Sequence, residues 1–182
     1  MLALVMVLQV VVGACGDNDD GAKVRSIGDD GSSSASGSAS GSASASGTAE
    51  CEPVGDIQEA DTRVDVRLDE WVVDLGVPAA LAGKIGFVNE NIGEEPHELV
   101  VVDGVTPTDL PLDDDGALDE AALPDGALVG EVEAFPAGQT CDGVFELDPG
   151  EYTLLCNIVE TEESGEVESH LKEGMVTTFT VT

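Results

Sequence analysis

Basic residues are nearly missing from this sequence: six Lys and Arg stand against 38 Asp and Glu, a net charge of −32. A surface of that sign repels phosphates, which argues against a nucleic-acid partner. It also repels anionic lipid headgroups, so any attachment to a membrane must be apolar or covalent. The acidity is spread evenly, which fits a solvated surface that keeps the protein soluble better than a patch that steers a basic partner. Aromatic rings are scarce too: Trp71, Tyr152 and four Phe. A core built from this chain must therefore be mostly Val, Leu and Ile, residues that favour strands when Gly and Pro punctuate them. No apolar run reaches the ~20 residues that a membrane-spanning helix needs. Histidine is scarce as well, with His97 and His170 only, beside four cysteines and three methionines.

What is present divides the chain into three parts. Residues 1–14, MLALVMVLQVVVGA, are apolar and end on small residues just before Cys15. That length suits the apolar region of a signal peptide. Val12-Gly13-Ala14-Cys15 resembles a lipobox, which implies that the Cys15 thiol is lipidated and tethers the chain to a lipid bilayer. Residues 15–51 pass from acidic DNDDG into SSSASGSASGSASASGT, a flexible linker too poor in apolar surface to order itself. About 35 such residues reach roughly 30–35 Å. Residues 52–182 make one domain with a modest core.

Within that domain, 62–69 alternates polar and apolar side chains and reads as a half-buried strand. Trp71–Leu75 continues that strand or turns it, and further strands are expected at 84–89, 97–103, 130–135, 143–147, 151–158 and 176–182, separated by Gly- and Pro-rich turns. Leu99–Val102 is continuously apolar, as in a strand covered on both faces. Residues 104–130 hold no strong strand, with one short helix expected at 118–123. Asp113-Asp114-Asp115-Gly116 glances at a calcium loop. Placing Gly116 at position six puts Pro111 at position one and Ala122 at position twelve, so the pattern fails and a solvated loop is expected. Seven or eight short strands make an all-β sandwich the natural class.

The stretch from Tyr152 to Met175 carries the chemistry. Cys156 closes a Leu-rich strand, His170 and Met175 follow at H-x4-M spacing, and His97 opens a distant strand. Two imidazoles, a thiolate and a thioether are the donors of a mononuclear copper centre, with a His-Cys-His plane and a weak axial Met. Singly, a buried Cys or Met is more often core filler. Jointly, both histidines of the chain fall where such a site needs them. At Pro96-His97, Tyr152-x-x-x-Cys156, His170 and Gly174-Met175 the chain resembles the cupredoxins, the plastocyanin-like and halocyanin-like blue copper proteins. The resemblance covers about residues 60–182. It implies a Greek-key β-sandwich holding one type 1 copper on His97, Cys156, His170 and Met175. It further implies a monomeric one-electron carrier between redox protein partners, anchored through Cys15 to the outer face of the cytoplasmic membrane. Extracytoplasmic copper binding and delivery without electron transfer is the alternative. Thirteen residues separate Cys156 from His170, where small members of the family have two to four, so Glu160–Ser169 must make an excursion. Glu98 stands where many members carry the Asn or Ser that braces the Cys loop.

With both histidines so used, no Ser-His-Asp set and no multinuclear metal cluster can be built, and no carboxylate pair stands out as an acid–base couple. The chain is not read as an enzyme. Cys51 and Cys141 remain as a pair. In an oxidising compartment they can form a disulfide that fastens the end of the linker to the strand region, or they stay as two free thiols.

Overall fold

The computed structural model describes residues 50–161 and 164–182; the signal segment, Cys15 and the linker as far as residue 49 lie outside the described residues. The strands are β1 (Thr62–Asp69), β2 (Val72–Leu75), β3 (Ala79–Ala80), β4 (Gly83–Asn91), β5 (His97–Asp103), β6 (Leu128–Phe135), β7 (Thr140–Leu147), β8 (Gly150–Leu155), β9 (Val159–Thr161), β10 (Val167–Ser169) and β11 (Val176–Val181). One sheet has the order β2-β1-β4-β7 and the other β3-β11-β8-β5-β6, with β9 and β10 as a separate hairpin. The expected all-β sandwich is what forms. The chain changes sheet between β2 and β3, β3 and β4, β4 and β5, β6 and β7, and β7 and β8. β1 lies parallel to β4, and β3 parallel to β11, amid antiparallel ladders. This is the crossed connectivity of a Greek-key sandwich.

The alternation in β1 sends Val64, Val66 and Leu68 inward and leaves Arg63, Asp65, Arg67 and Asp69 at the surface. They meet Phe87 and Phe145 of their own sheet and Leu99, Leu154 and Phe179 of the facing one. Phe87 packs edge-on to Phe179 at 5.4 Å between ring centroids, which links the two sheets at mid-core. Each such side chain, fully buried, is worth about 1.5–3 kcal/mol.

The apolar run of β5 has a concrete cause. Leu99 and Val101 face the main core, while Val100 and Val102 face a second cluster with Leu118, Ala127, Leu155 and Leu171. The long segment between β5 and β6 therefore covers the outer face of its sheet. The helix expected at 118–123 is instead a single 3-10 turn, Glu120–Ala122. Asp119 offers it no side-chain cap, and Leu118 is drawn away into a bridge with Leu112 and into the second cluster. So short a segment cannot recover the cost of nucleating a helix. In the neighbouring loop, Asp113 Oδ1 accepts the N–H groups of Asp115, Gly116 and Ala117. That carboxylate serves its own turn, as the solvated-loop reading requires.

Cys51 and Cys141 form a disulfide, with Cα atoms 5.3 Å apart across 90 residues of sequence. It fastens the start of the domain to β7, beside a bridge between Val54 and Gly143. No helix of the described residues is long and apolar enough to cross a membrane.

Candidate metal centre

The ends of β1, β4 and β8 and the starts of β2, β5 and β11 lie at one end of the sandwich, and the site is built there. His97 is the first residue of β5, opposite Phe135, and a register shift between His97 and Leu99 interrupts the ladder with β6. Irregularities of this kind re-aim a side chain at a sheet's rim. Here they accompany an imidazole that is fully buried.

Cys156 follows β8 directly, so the expected strand over 151–158 stops three residues early. Its N–H donates to the Met175 carbonyl at 3.0 Å, and the Met175 N–H donates to the His170 carbonyl at 2.9 Å. Three of the four expected ligands are thus tied to one another through their backbones. The strand that carries the fourth, His97, is joined through Glu98, whose Oε1 accepts the Asn157 N–H at 2.9 Å. Glu98 therefore braces the Cys loop.

The thirteen-residue gap closes by folding back on itself. β9 and β10 pair antiparallel, with Val159 opposite Ser169. That register returns the chain to within two residues of Cys156, and the His170 N–H donates to the Ile158 carbonyl at 3.0 Å. A four-residue helix, α1 (His170–Glu173), then begins. Ser169 caps it by accepting the Lys172 N–H, and its hydroxyl donates to the Gly116 carbonyl at 2.8 Å. Gly174 ends the helix at φ 121°, a conformation that favours glycine, and a Cβ there would lie 3.3 Å from the Trp71 carbonyl oxygen. This sharp stop places Met175 beside the Cys156 backbone.

The donor atoms converge. His97 Nδ1 lies 3.3 Å from His170 Nδ1, and Cys156 Sγ lies 3.4 Å from the latter and 4.0 Å from the former. Three atoms at these separations share an equidistant point inside their triangle, about 2.1 Å from each, the length of a metal–imidazole bond. All three side chains are fully buried, and Met175 is buried in the same cluster as Cys156. Among the described residues this is the one group of three or more His, Cys, Asp or Glu whose ligand atoms converge. The donor set is soft and nitrogenous, which suits copper and disfavours magnesium or calcium.

Electrostatics agree with a site made for a cation. Burial lowers the His97 pKa, and burial together with His97 lowers that of His170 to about 4. Burial, reinforced by the Glu98 charge, pushes the Cys156 thiol up to about 12. Without metal, both rings are neutral and the thiol keeps its proton, so no bare charge is buried. A bound metal replaces that proton. Burial, with help from Glu131 and Glu133, raises the Glu98 pKa to about 7. Its folded pKa exceeds the ordinary 4.5, so the stability it contributes is present below that value and lost as pH rises through 7. Glu98→Gln keeps an acceptor for the Asn157 N–H and removes the titration. The metal-free variant is expected to exceed wild type in stability at pH 8 by up to about 3 kcal/mol, with the gap closing below pH about 4. Thermal unfolding as a function of pH measures this.

Three contacts at the site escaped the sequence reading. Glu70 Oε1 faces His97 Nε2 at 3.5 Å, Glu95 Oε2 faces His170 Nε2 at 3.6 Å, and Trp71 meets the His170 ring edge-on at 5.3 Å. Trp71 is the one non-glycine residue with positive φ among the described residues, at 68°. That conformation costs about 1–2 kcal/mol. Glu70 and Trp71 form the turn between β1 and β2. Gly93 lets this turn approach, because a Cβ there would strike both Glu70 Oε1 and His97 Nε2.

No protein-family model matches this chain. No curated protein matches it either. Solved structures do resemble it. Dithionite-reduced auracyanin from Roseiflexus castenholzii aligns with a TM-score of 0.48 at 17% identity, over 68% of this chain and 98% of its own. Auracyanin B gives 0.48 at 20%, over 73% and 96%. Rusticyanin from Thiobacillus ferrooxidans gives 0.41 at 16%, over 66% and 77%. These three are cupredoxins. Likeness at this level assigns no activity to the present chain, and its own donor set must carry that.

Proposed function

We propose that this chain is an extracytoplasmic one-electron carrier, with one type 1 copper held by His97, Cys156, His170 and Met175. The observation that carries the reading is the buried convergence of two Nδ1 atoms and one Sγ around a point at bonding distance from all three. Copper there would supply a Cu(I)/Cu(II) couple. The protein's part is to hold the donors still. Cys156, His170 and Met175 are fixed by a chain of backbone hydrogen bonds, and His97 is anchored in β5, which pairs with β8 in the same sheet. Ligands held this way resist the rearrangement that each oxidation state would otherwise prefer, which favours fast exchange of one electron. Burial excludes water from the donors.

Location outside the cytoplasm is supported by the Cys51–Cys141 disulfide, since such bonds persist in oxidising compartments. We further propose that lipid on Cys15 anchors the chain to the outer face of the cytoplasmic membrane, that redox proteins are its partners, and that it catalyses no reaction of its own. Mass spectrometry of the protein from a lipoprotein-processing host tests the anchor; an unmodified Cys15 contradicts it.

Voltammetry of the copper-loaded domain tests the carrier. A reversible one-electron wave is expected, and an irreversible wave, or uptake of Cu(I) alone, contradicts it. Met175→Leu sharpens the test. Leucine nearly conserves volume, at a cost under about 1.5 kcal/mol, so the fold survives. Copper stays on the remaining three donors. Losing the fourth donor is tolerated better by Cu(I), which accepts lower coordination, and so raises the potential, by about 59 mV for each tenfold shift toward Cu(I).

A further inference from the structure

The Nε2 atoms of both imidazoles are buried, and neither makes a hydrogen bond of full geometry in this structure. Each nonetheless points at a carboxylate: Glu70 at 3.5 Å from His97, and Glu95 at 3.6 Å from His170. Both carboxylates come from turns at the site's end of the sandwich. Glu70 is itself fixed, because its Oε1 accepts the N–H groups of Glu94 and Glu95 at 2.7 and 3.1 Å. The same oxygen thus joins the β1–β2 turn, the β4–β5 turn and the ring of His97. The arrangement is symmetrical in chemistry, with one acidic side chain behind each imidazole.

A ring with a carboxylate at Nε2 keeps its proton there and offers a bare Nδ1 lone pair on the other side. Both Nδ1 atoms do face the centre, 3.3 Å apart. A single mis-set tautomer would place an N–H where a bond to metal is needed. Each carboxylate also makes its imidazole a stronger donor and places a negative charge behind the metal, and both effects favour the more highly charged oxidation state.

We propose that Glu70 and Glu95 are positioning residues that hold His97 and His170 as Nε2–H tautomers and bias bound copper toward Cu(II). The second half rests on the copper reading above, and the first half does not.

The experiment has two arms. Long-range ¹H–¹⁵N correlation on the metal-free protein reads the tautomers. Both rings are expected as Nε2–H in wild type. His97 alone becomes a tautomer mixture in Glu70→Ala, and His170 alone does so in Glu95→Ala. Glu70→Gln, which keeps an acceptor oxygen, restores His97. Nδ1–H rings in wild type, or a His97 spectrum indifferent to Glu70→Ala, overturn the positioning role whatever the metal does. The second arm is the potential of the copper-loaded Glu70→Gln and Glu95→Gln proteins. Each is expected to lose about tenfold in Cu(II) preference, a rise of about 59 mV for one electron. Asp125→Asn, at an exposed carboxylate, is expected to leave it unchanged. Potentials unmoved in both Gln variants overturn the bias. A wild type with the expected tautomers that takes up no copper overturns the copper reading and leaves the positioning role standing.

Discussion

Serine in place of Cys156 is expected to give a folded domain that no longer develops an intense visible band with Cu(II). Cys156 is the one free cysteine among the described residues and the sole thiolate within reach of the two Nδ1 atoms. An intense ligand-to-metal transition in a Cu(II) protein needs a thiolate, because a hydroxyl is a harder donor whose electrons lie too low. Affinity falls as well. Even an outer partner of a metal ligand is worth about 10- to 100-fold in binding, so loss of the ligand itself costs more than about a hundredfold. The fold tolerates the change. The buried hydroxyl can donate to His170 Nδ1, which already lies 3.4 Å from Sγ, and so avoids the penalty of an unpaired polar group. Circular dichroism and a visible Cu(II) titration separate the two effects. A band of undiminished intensity in the variant would show that Cys156 is not a ligand.

Replacing Cys51 and Cys141 together by serine is expected to cost more stability than Cys156→Ser or Met175→Leu. The bond closes 90 residues, a large part of the domain. Restricting the unfolded chain over such a loop is worth about 4–5 kcal/mol in the chain-entropy account. For a domain of this size the midpoint of thermal unfolding then falls by about 10–15 °C. Neither cysteine is hydrogen-bonded to a ligand side chain, so the copper-loaded variant keeps its colour at low temperature. An unchanged melting temperature would mean that the bond does not constrain the unfolded chain. Loss of colour in a still-folded variant would mean that the disulfide shapes the centre.

The proposed ligands were legible because their residue types are scarce. Two histidines in 182 residues leave little choice, and a Cys, His and Met in order before a final strand restrict it further. The β1 alternation and the apolar run of β5 were legible because burial on one face, or on two, writes itself directly into the order of side chains. The way Cys156 and His170 meet was not. Its cause is a hairpin of two three-residue strands, whose pairing is set by position across the turn and leaves no periodic trace. The α1 turn is too short to carry a helical pattern. The expected helix at 118–123 failed because Leu118 had a better partner in the second core cluster. Glu70 and Glu95 were hidden by abundance. Among 38 acidic residues, nothing local distinguishes the two that stand behind the imidazoles; only folding the two turns together does so.

Stoichiometric addition of Cu(II) to the metal-free domain, followed by optical absorption and electron paramagnetic resonance, tests the central claim most directly. One copper per chain should bind, with an intense visible band and a narrow copper hyperfine splitting. The band should vanish on reduction and return on reoxidation. A colourless Cu(II) complex, or no uptake by the folded domain, would contradict it.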